Sequence, residues 1–406
     1  MPWMDPDRAL ELVVEHTPTG MVREVSLEHA FGLVLAEDVA SDRDYPPFPR
    51  AMMDGYAVRV ADAGRRASVG GIVAAGQDPQ ALGQKVESGR AVEITTGAPC
   101  PPGTEAVVMH EEVDGDSKAV RLPQNIRAGQ HIAPRGSDCA ARTVVLEAGQ
   151  ELTALGIGVL ASFGRRKVRV LAPPSLAMIA TGNELVSNDG CAGAVEIRDA
   201  NGPMLAAQAR ALGLDAALAR ALDSVEAIQQ AIERASEADI VLLSGGVSVG
   251  RYDLVPEALL GVNAEVIFHG IAQKPGKPLL FARMGRRLLF GLPGNPLGSH
   301  LCFHRYVAAS VRKWMGVPAL HAGGTARLAT ALDGLSERTL FQPARVEPDQ
   351  RCEDGGKGWR AIPARTQSSA DLFSVAIANA YLRLPPGERS VPAGAQVVFE
   401  WIGGAR

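Results

Sequence analysis

The stretch from residue 239 to 253 constrains this chain more than any other. Its apolar run Ile240-Val241-Leu242-Leu243 has the length and composition of a buried strand. It delivers the chain into Ser244-Gly245-Gly246-Val247-Ser248-Val249-Gly250-Arg251-Tyr252-Asp253. Two later segments repeat the form, Lys274-Pro275-Gly276-Lys277-Pro278 and Leu292-Pro293-Gly294-Asn295-Pro296. Bends of this kind expose backbone N–H groups, and two of them are accompanied by hydroxyls or lysines. Such a composition suits a polyphosphate or another oxyanion better than a neutral metabolite.

Around these bends, residues 168–317 alternate between strand and helix patterns. Strands are expected at 176–180, 240–243, 265–268, 279–282 and 288–291, and helices at 203–212, 225–235, 254–260 and about 297–315. The order implies a doubly wound, mostly parallel α/β domain. Upstream, a helix is expected over 5–16, with Asp5 as its cap and Pro6 in its first turn, and a second short helix near 27–35. The stiff Asp44-Tyr45-Pro46-Pro47-Phe48-Pro49 connector then leads into short β-rich runs from about 47 to 142, which read as a small β domain. After a linker at 318–324, short strands at 339–346, 359–363, 381–384 and 396–401 predict a C-terminal β-barrel.

A formal net charge of −4 excludes a nucleic-acid binder held by a global basic field. The five cysteines are scattered without C-x-x-C spacing, which argues against a disulfide framework or a zinc ribbon and for a reducing compartment. No apolar run has membrane-spanning length, and the acidic start lacks a signal pattern, so the expected location is cytoplasmic.

Ligands of open parallel sheets bind beyond the carboxyl ends of the strands. Four loops of anion-friendly composition are expected there: Thr181-Gly182-Asn183-Glu184, the 244–253 segment, 274–278 and 292–296. Neither a Walker-type loop nor a G-x-G-x-x-G fingerprint is present. Glu184 directly follows a strand, with no capping role in view. Asp223 and Asp253 each precede a helical pattern, so a helix cap stays open for both as an alternative to a site role. Asp54, in Met52-Met53-Asp54-Gly55-Tyr56, carries only a turn signal of its own. Carboxylates facing lysines and phosphate-binding loops are what a Mg²⁺-dependent phosphoryl or nucleotidyl site requires, because Mg²⁺ takes one or two carboxylates plus substrate phosphate oxygens. His300 and His304 have zinc spacing but lack the glutamate of H-E-x-x-H.

In combination, PFPRAMMDGYAV (47–58), TTGAPCPPG (95–103), AVVM (106–109), RGSD (135–138), TGNEL (181–185) and the three bends make the chain resemble the molybdopterin molybdotransferases. These are the MoeA-type molybdenum insertases, with the gephyrin E-domain. The resemblance runs from about residue 5 to 400. It implies four parts: an elongated domain from 1–46 and 143–167, an inserted β domain at 47–142, the doubly wound domain at 168–317 and the barrel at 318–406. It also implies a homodimer that takes adenylylated molybdopterin and molybdate with Mg²⁺ and releases AMP, with contact to other enzymes of molybdenum cofactor synthesis.

By resemblance the catalytic positions are Asp54, Glu184, Asp223, Asp253, Lys274 and Lys277, with Asp54, Glu184 and Asp253 at the metal. Substrate binding falls by resemblance to Thr96, Asp138 and Ser369, from the composition of the bends to Ser244, Gly245, Gly246, Ser248, Gly250, Pro278, Pro293, Gly294 and Asn295, and to Ser299 and Arg345 as neighbours of departures from the family pattern. The chain departs from the family pattern at Ala51, where a serine is usual, at Asn183, at Gly298, and at Pro343, where a site arginine is common. Two rival readings share the same residues. One is a divergent adenylyltransferase or dinucleotide pyrophosphatase on the same α/β domain, and the other is a non-enzymatic scaffold dimer.

Overall fold

The structure is a computed structural model that describes residues 3–186, 189–248, 253–318, 322–333, 336–349, 358–387 and 390–403. The chain divides into two compact units. One comprises Met1–Val25, Gly32–Ala36 and Arg169–Arg406, and the other Ser26–Phe31 and Glu37–Val168.

In the first unit a six-stranded sheet runs in the order β2-β1-β3-β6-β5-β4. Its strands are β1 (Leu176–Thr181), β2 (Ala216–Ala221), β3 (Ile240–Ser244), β4 (Glu265–His269), β5 (Leu280–Met284) and β6 (Arg287–Leu292). The pairs β1–β2, β1–β3 and β3–β6 are parallel, whereas β5 lies antiparallel to both β4 and β6. The central strands read as unbroken apolar runs because both of their faces are covered. Leu176, Met178, Ile240, Leu242, Leu288 and Phe290 enter one core, and Ala177, Ile179, Val241, Leu243 and Leu289 enter the other.

The first core is closed by α1 (Asn201–Ala211), by the N-terminal helix Pro6–His16 and by the last helical stretch. That stretch comprises α4 (Pro296–Cys302), a π-helical segment Phe303–Val307 and α5 (Ala308–Trp314). The second core is closed by α2 (Val225–Arg234) and α3 (Val255–Gly261). No helix among the described residues is long and apolar enough to cross a membrane.

Beyond the linker, β7 (Gly323–Leu328), β8 (Thr339–Asp349), β9 (Gly358–Pro363), β10 (Ala380–Leu384) and β11 (Gln396–Trp401) close into a ring. Its order is β8-β9-β7-β11-β10, with β10 returning to β8. This is the barrel expected from the strand spacing, with β7 lying partly in what the sequence marks as linker. A short strand, Gln273–Lys274, leaves the α/β region and pairs parallel with Thr339 and Leu340 of β8. Arg305, 2% exposed, ties three parts of this unit together. It pairs with Glu400 of the barrel and with Asp7 of the N-terminal helix, and its guanidinium lies 4.4 Å from the Phe341 ring centroid.

The second unit is built on a six-stranded sheet. Its order is Ala106–Met109, Gly55–Val58, Arg90–Ile94, Arg66–Val73, Ala119–Arg121, Asp114–Gly115. The helix expected near 27–35 is not there. A single 3-10 turn at Leu27–His29 is followed by Gly32 at φ 75°, a left-handed residue at which a helix ends. A helix that the sequence reading did not foresee, Ala154–Ser162, is capped by the Thr153 hydroxyl, which accepts from the Gly156 N–H at 3.2 Å.

Candidate functional site

Register places the loops. Ala180, Ser244 and Leu292 stand side by side on β1, β3 and β6, and Thr181 stands beside Ala221 on β2. The chain therefore leaves all four parallel strands at one edge. The edge strand β2, absent from the sequence reading, is what brings Asp223 there two residues after its end.

This edge opens into a cleft of about 1130 Å³. Its walls hold Glu184, Asp223, Asp253, Lys274, Lys277 and Pro278. They also hold Ser244, Gly245, Gly246 and Ser248 of the first bend, Pro293, Gly294 and Asn295 of the third, and Ser369 from the segment after β9. Gly250 lies outside the described residues.

Each wall is fixed by specific contacts. Gly245 has φ 101°, and a Cβ there would sit 2.7 Å from the Thr181 carbonyl oxygen, so the bend accepts only glycine at that position. Its N–H donates to the Leu292 carbonyl at 3.1 Å, which ties the first bend to the end of β6. Asp223 is not the cap of α2. The Ser224 hydroxyl caps it by accepting from the Ala227 N–H, while the Asp223 carboxylate accepts from the Asn183 N–H at 3.0 Å. Asn183 returns the contact, its side-chain oxygen accepting from the Asp223 N–H at 3.2 Å. The carboxylate is thus held by the backbone of residue 183, and the Asn183 side chain fixes the backbone of Asp223 in return. The cap residue of α3 is Leu254, next to Asp253.

In the third bend Pro296 opens α4, and the Asn295 amide donates to the Ser369 hydroxyl at 2.7 Å instead of capping that helix. The Leu297 N–H donates to the Ser369 carbonyl at 3.1 Å, so two hydrogen bonds seat the Ser369 segment on the α/β bend. Gly298 also lines the cleft. A Cβ on it would meet the Gly276 nitrogen and the Pro293 Cβ, each at 3.2 Å, so the small residue lets the second and third bends approach.

Two expected residues stand elsewhere. Ser299 is fully buried within α4, and its hydroxyl has no hydrogen-bond partner among the described residues. Arg345 lies on the exposed side of β8, where it pairs with Glu347 at 3.4 Å. The arginine of this strand region that does line the cleft is Arg338, one residue before β8.

Asn201 is a residue the sequence reading missed. At the start of α1 its amide donates to the Ser244 hydroxyl and to the Gly294 carbonyl, both at 2.8 Å, joining the first and third bends from inside. Asp199 beside it accepts from the Gly202 N–H at 2.9 Å. The Asp-Ala-Asn run before a helical pattern was the available signal, but its partners are 43 and 93 residues away.

Asp54, Thr96 and Asp138 belong to the second unit. Gly55 pairs with Ile94 on adjacent antiparallel strands, so the residue before one and the residue two after the other share an end. There the Asp54 carboxylate accepts from the Thr96 N–H at 2.6 Å and from its hydroxyl at 3.0 Å. These two donors hold the Asp54 carboxyl below the usual range. Asp138 pairs with Arg50 at 3.5 Å and accepts from the Ser137 hydroxyl.

Of the two histidines at zinc spacing, His300 has its ring nitrogen against a tyrosine hydroxyl. His300 Nδ1 is 2.8 Å from the Tyr381 hydroxyl, and burial pushes its pKa down to about 4.

Comparison with known proteins converges on one family. Family profiles match residues 4–164 as the MoeA N-terminal region (domains I and II), 177–313 as a probable molybdopterin-binding domain, and 325–401 as the MoeA C-terminal region (domain IV). The molybdopterin molybdenumtransferase of Staphylococcus epidermidis is 31% identical over 379 residues, 91% of this chain and 88% of that protein. The chain belongs to the MoeA family of molybdopterin molybdenumtransferases. That of Synechocystis is 31% identical over 396 residues, 95% of this chain and 96% of that protein. A MoeA molybdopterin biosynthesis protein from Pyrococcus horikoshii superposes with a TM-score of 0.83 at 29% identity, covering 99% of this chain and all of that one. For a MoeA-family chain, the cleft at the strand ends lies in the segment that matches the molybdopterin-binding profile, with Arg338 and Ser369 added from the C-terminal profile.

Proposed function

We propose that this chain transfers molybdenum from molybdate to adenylylated molybdopterin, releasing AMP, as a step of molybdenum cofactor synthesis. One observation carries the reading: a single cleft sets Glu184, Asp223 and Asp253 against Lys274 and Lys277, with glycine and proline bends as its floor. In this reading the Gly245-Gly246 bend and the lysines receive the pyrophosphate linkage. The lysines withdraw charge as the phosphoanhydride breaks and AMP departs. Lys277 and Ser369 face the incoming oxyanion. Ser369 is preorganised by Asn295, so its hydroxyl is already held when substrate arrives.

The donor set fits Mg²⁺. Among the described residues no three His, Cys, Asp or Glu side chains converge into a preformed metal cage, and the cleft offers separate carboxylates. Mg²⁺ takes one or two carboxylates together with substrate phosphate oxygens and water, so separate carboxylates suffice. Glu184 and Asp253 would hold it in this cleft, and it would supply charge neutralisation at the phosphoanhydride. We assign Asp54, Thr96 and Asp138 to the same reaction through a homodimer in which one subunit's second unit serves the partner's cleft. The four cysteines of the described residues are all free, in keeping with work in the cytoplasm.

The test is AMP release from adenylylated molybdopterin with Mg²⁺, with and without molybdate, and with tungstate in parallel. Molybdate-stimulated release that yields active cofactor, lost in Asp253→Ala with folding intact, is the expected result. Wild-type turnover in that variant, or no release by the native chain, would sink the assignment.

A further inference from the structure

The loop carrying the two lysines has a neighbour that neither the sequence motifs nor the family comparison assigns. Met4 is bridged to Ile271: its N–H donates to the Gly270 carbonyl at 3.3 Å, and its carbonyl accepts from the Ala272 N–H at 2.7 Å. These bonds lay Trp3 beside the 270–278 loop. The Lys277 ammonium lies 3.9 Å from the centroid of the Trp3 ring, and the Arg338 guanidinium 5.4 Å from the same centroid. Both cations line the cleft. Arg338 is further fixed by donating from Nη1 to the Gln273 carbonyl at 3.2 Å, one residue from Lys274.

We propose that Lys277 and Arg338, braced over the Trp3 indole, form a tetrahedral-oxyanion subsite at this wall of the cleft, with Arg338 a binding residue and Trp3 a positioning residue. The chemistry is that of a preorganised cation pair. An ammonium resting on an aromatic face keeps donors free on its far side, and an arginine that spends one N–H on a carbonyl keeps four. Without the ring, the flexible lysine stem samples many rotamers and must be ordered by the anion itself. The oxyanion is either free molybdate or a phosphate of the adenylylated substrate, which share charge and shape. The inference rests on the molybdenum-transfer reading of the cleft.

The experiment compares the full-length native chain with Trp3→Ala, Trp3→Phe and Arg338→Gln. It measures kcat and the separate KM values for molybdate and for adenylylated molybdopterin, together with calorimetric titration of molybdate alone. Trp3→Ala and Arg338→Gln are expected to raise the KM of one oxyanion carrier by roughly 3- to 30-fold, with kcat at saturation within about twofold. Trp3→Phe, which keeps a ring face, is expected to recover most of the loss. The KM that moves identifies the carrier. Unchanged KM values in both Trp3→Ala and Arg338→Gln, beside an active native chain, overturn the subsite, as does a fall in kcat alone. Should Trp3→Ala fail to fold, Trp3→Phe and Arg338→Gln decide. A native chain that neither binds molybdate nor releases AMP would instead refute the underlying function.

Discussion

Replacing Asn201 with alanine tests how the cleft is assembled. Its amide makes two hydrogen bonds, to the Ser244 hydroxyl and the Gly294 carbonyl, at a residue only 9% exposed. Each such bond contributes about 1 kcal/mol net, and a buried partner left without water costs a further ~1–3 kcal/mol. Asn201→Ala should therefore destabilise the first unit by about 3–5 kcal/mol. Because both bonds join cleft loops, part of that cost should reach the reaction. A loss of about 2 kcal/mol in transition-state binding is roughly 30-fold in kcat/KM. Asn201→Asp keeps the shape but sets an oxygen against the Gly294 carbonyl, and should be at least as damaging. Chemical denaturation followed by tryptophan fluorescence gives the stability term, and AMP release gives the kinetic one. If both variants stay within about 0.5 kcal/mol and twofold in kcat/KM, the amide is not the clasp described here.

Gly245→Ala should cost about 1–3 kcal/mol of backbone strain, besides forcing a Cβ against the Thr181 carbonyl, and should depress AMP release more than it depresses the melting temperature. Arg305→Met should destabilise the chain by about 3–5 kcal/mol in denaturation, because Glu400 and Asp7 lose a buried partner. Arg305→Met combined with Glu400→Gln should recover part of the loss. Burial gives His300 a folded pKa of about 4, below the ordinary histidine value of 6.5, so between those values the unfolded chain binds the extra proton. The stability this group contributes is present above pH 6.5 and lost as pH falls toward 4. His300→Gln should flatten that limb of the stability–pH curve, and an unchanged limb would refute the assignment.

The parts of this architecture that could be read from the chain are those in which neighbours in sequence do the work. β1, β3 and β6 are continuous apolar runs because both faces of the sheet are covered, and the bends after them announce themselves by glycine and proline. β2 escaped because an exposed edge strand of sequence AALARA has neither an apolar run nor strict alternation. The helix Ala154–Ser162 escaped because Gly156 and Gly158 lower its propensity, while Gly32 ended a stretch whose apolar spacing looked helical. In the cleft, lysines and carboxylates beside bends were legible. Asn201, Arg338 and Trp3 were not, since each acts on groups brought near only by the tertiary fold. Ser299 and Arg345 entered as neighbours of the two departures from the family pattern, Gly298 and Pro343, and the structure sets both outside the cleft walls.

The short strand Gln273–Lys274 is hydrogen-bonded to the barrel strand β8, so the α/β region has lent the barrel one rung of its own ladder. That loan makes the two parts poor candidates for separate evolutionary or engineering exchange. A barrel grafted from a relative would carry its own β8 register, and a shift of one residue would move Lys274 along the cleft wall by about 3.3 Å, enough to separate it from the anion it is built to meet. Cleft and barrel are thus expected to diversify together, with substitutions along Thr339 and Leu340 answered by changes in the 270–278 loop.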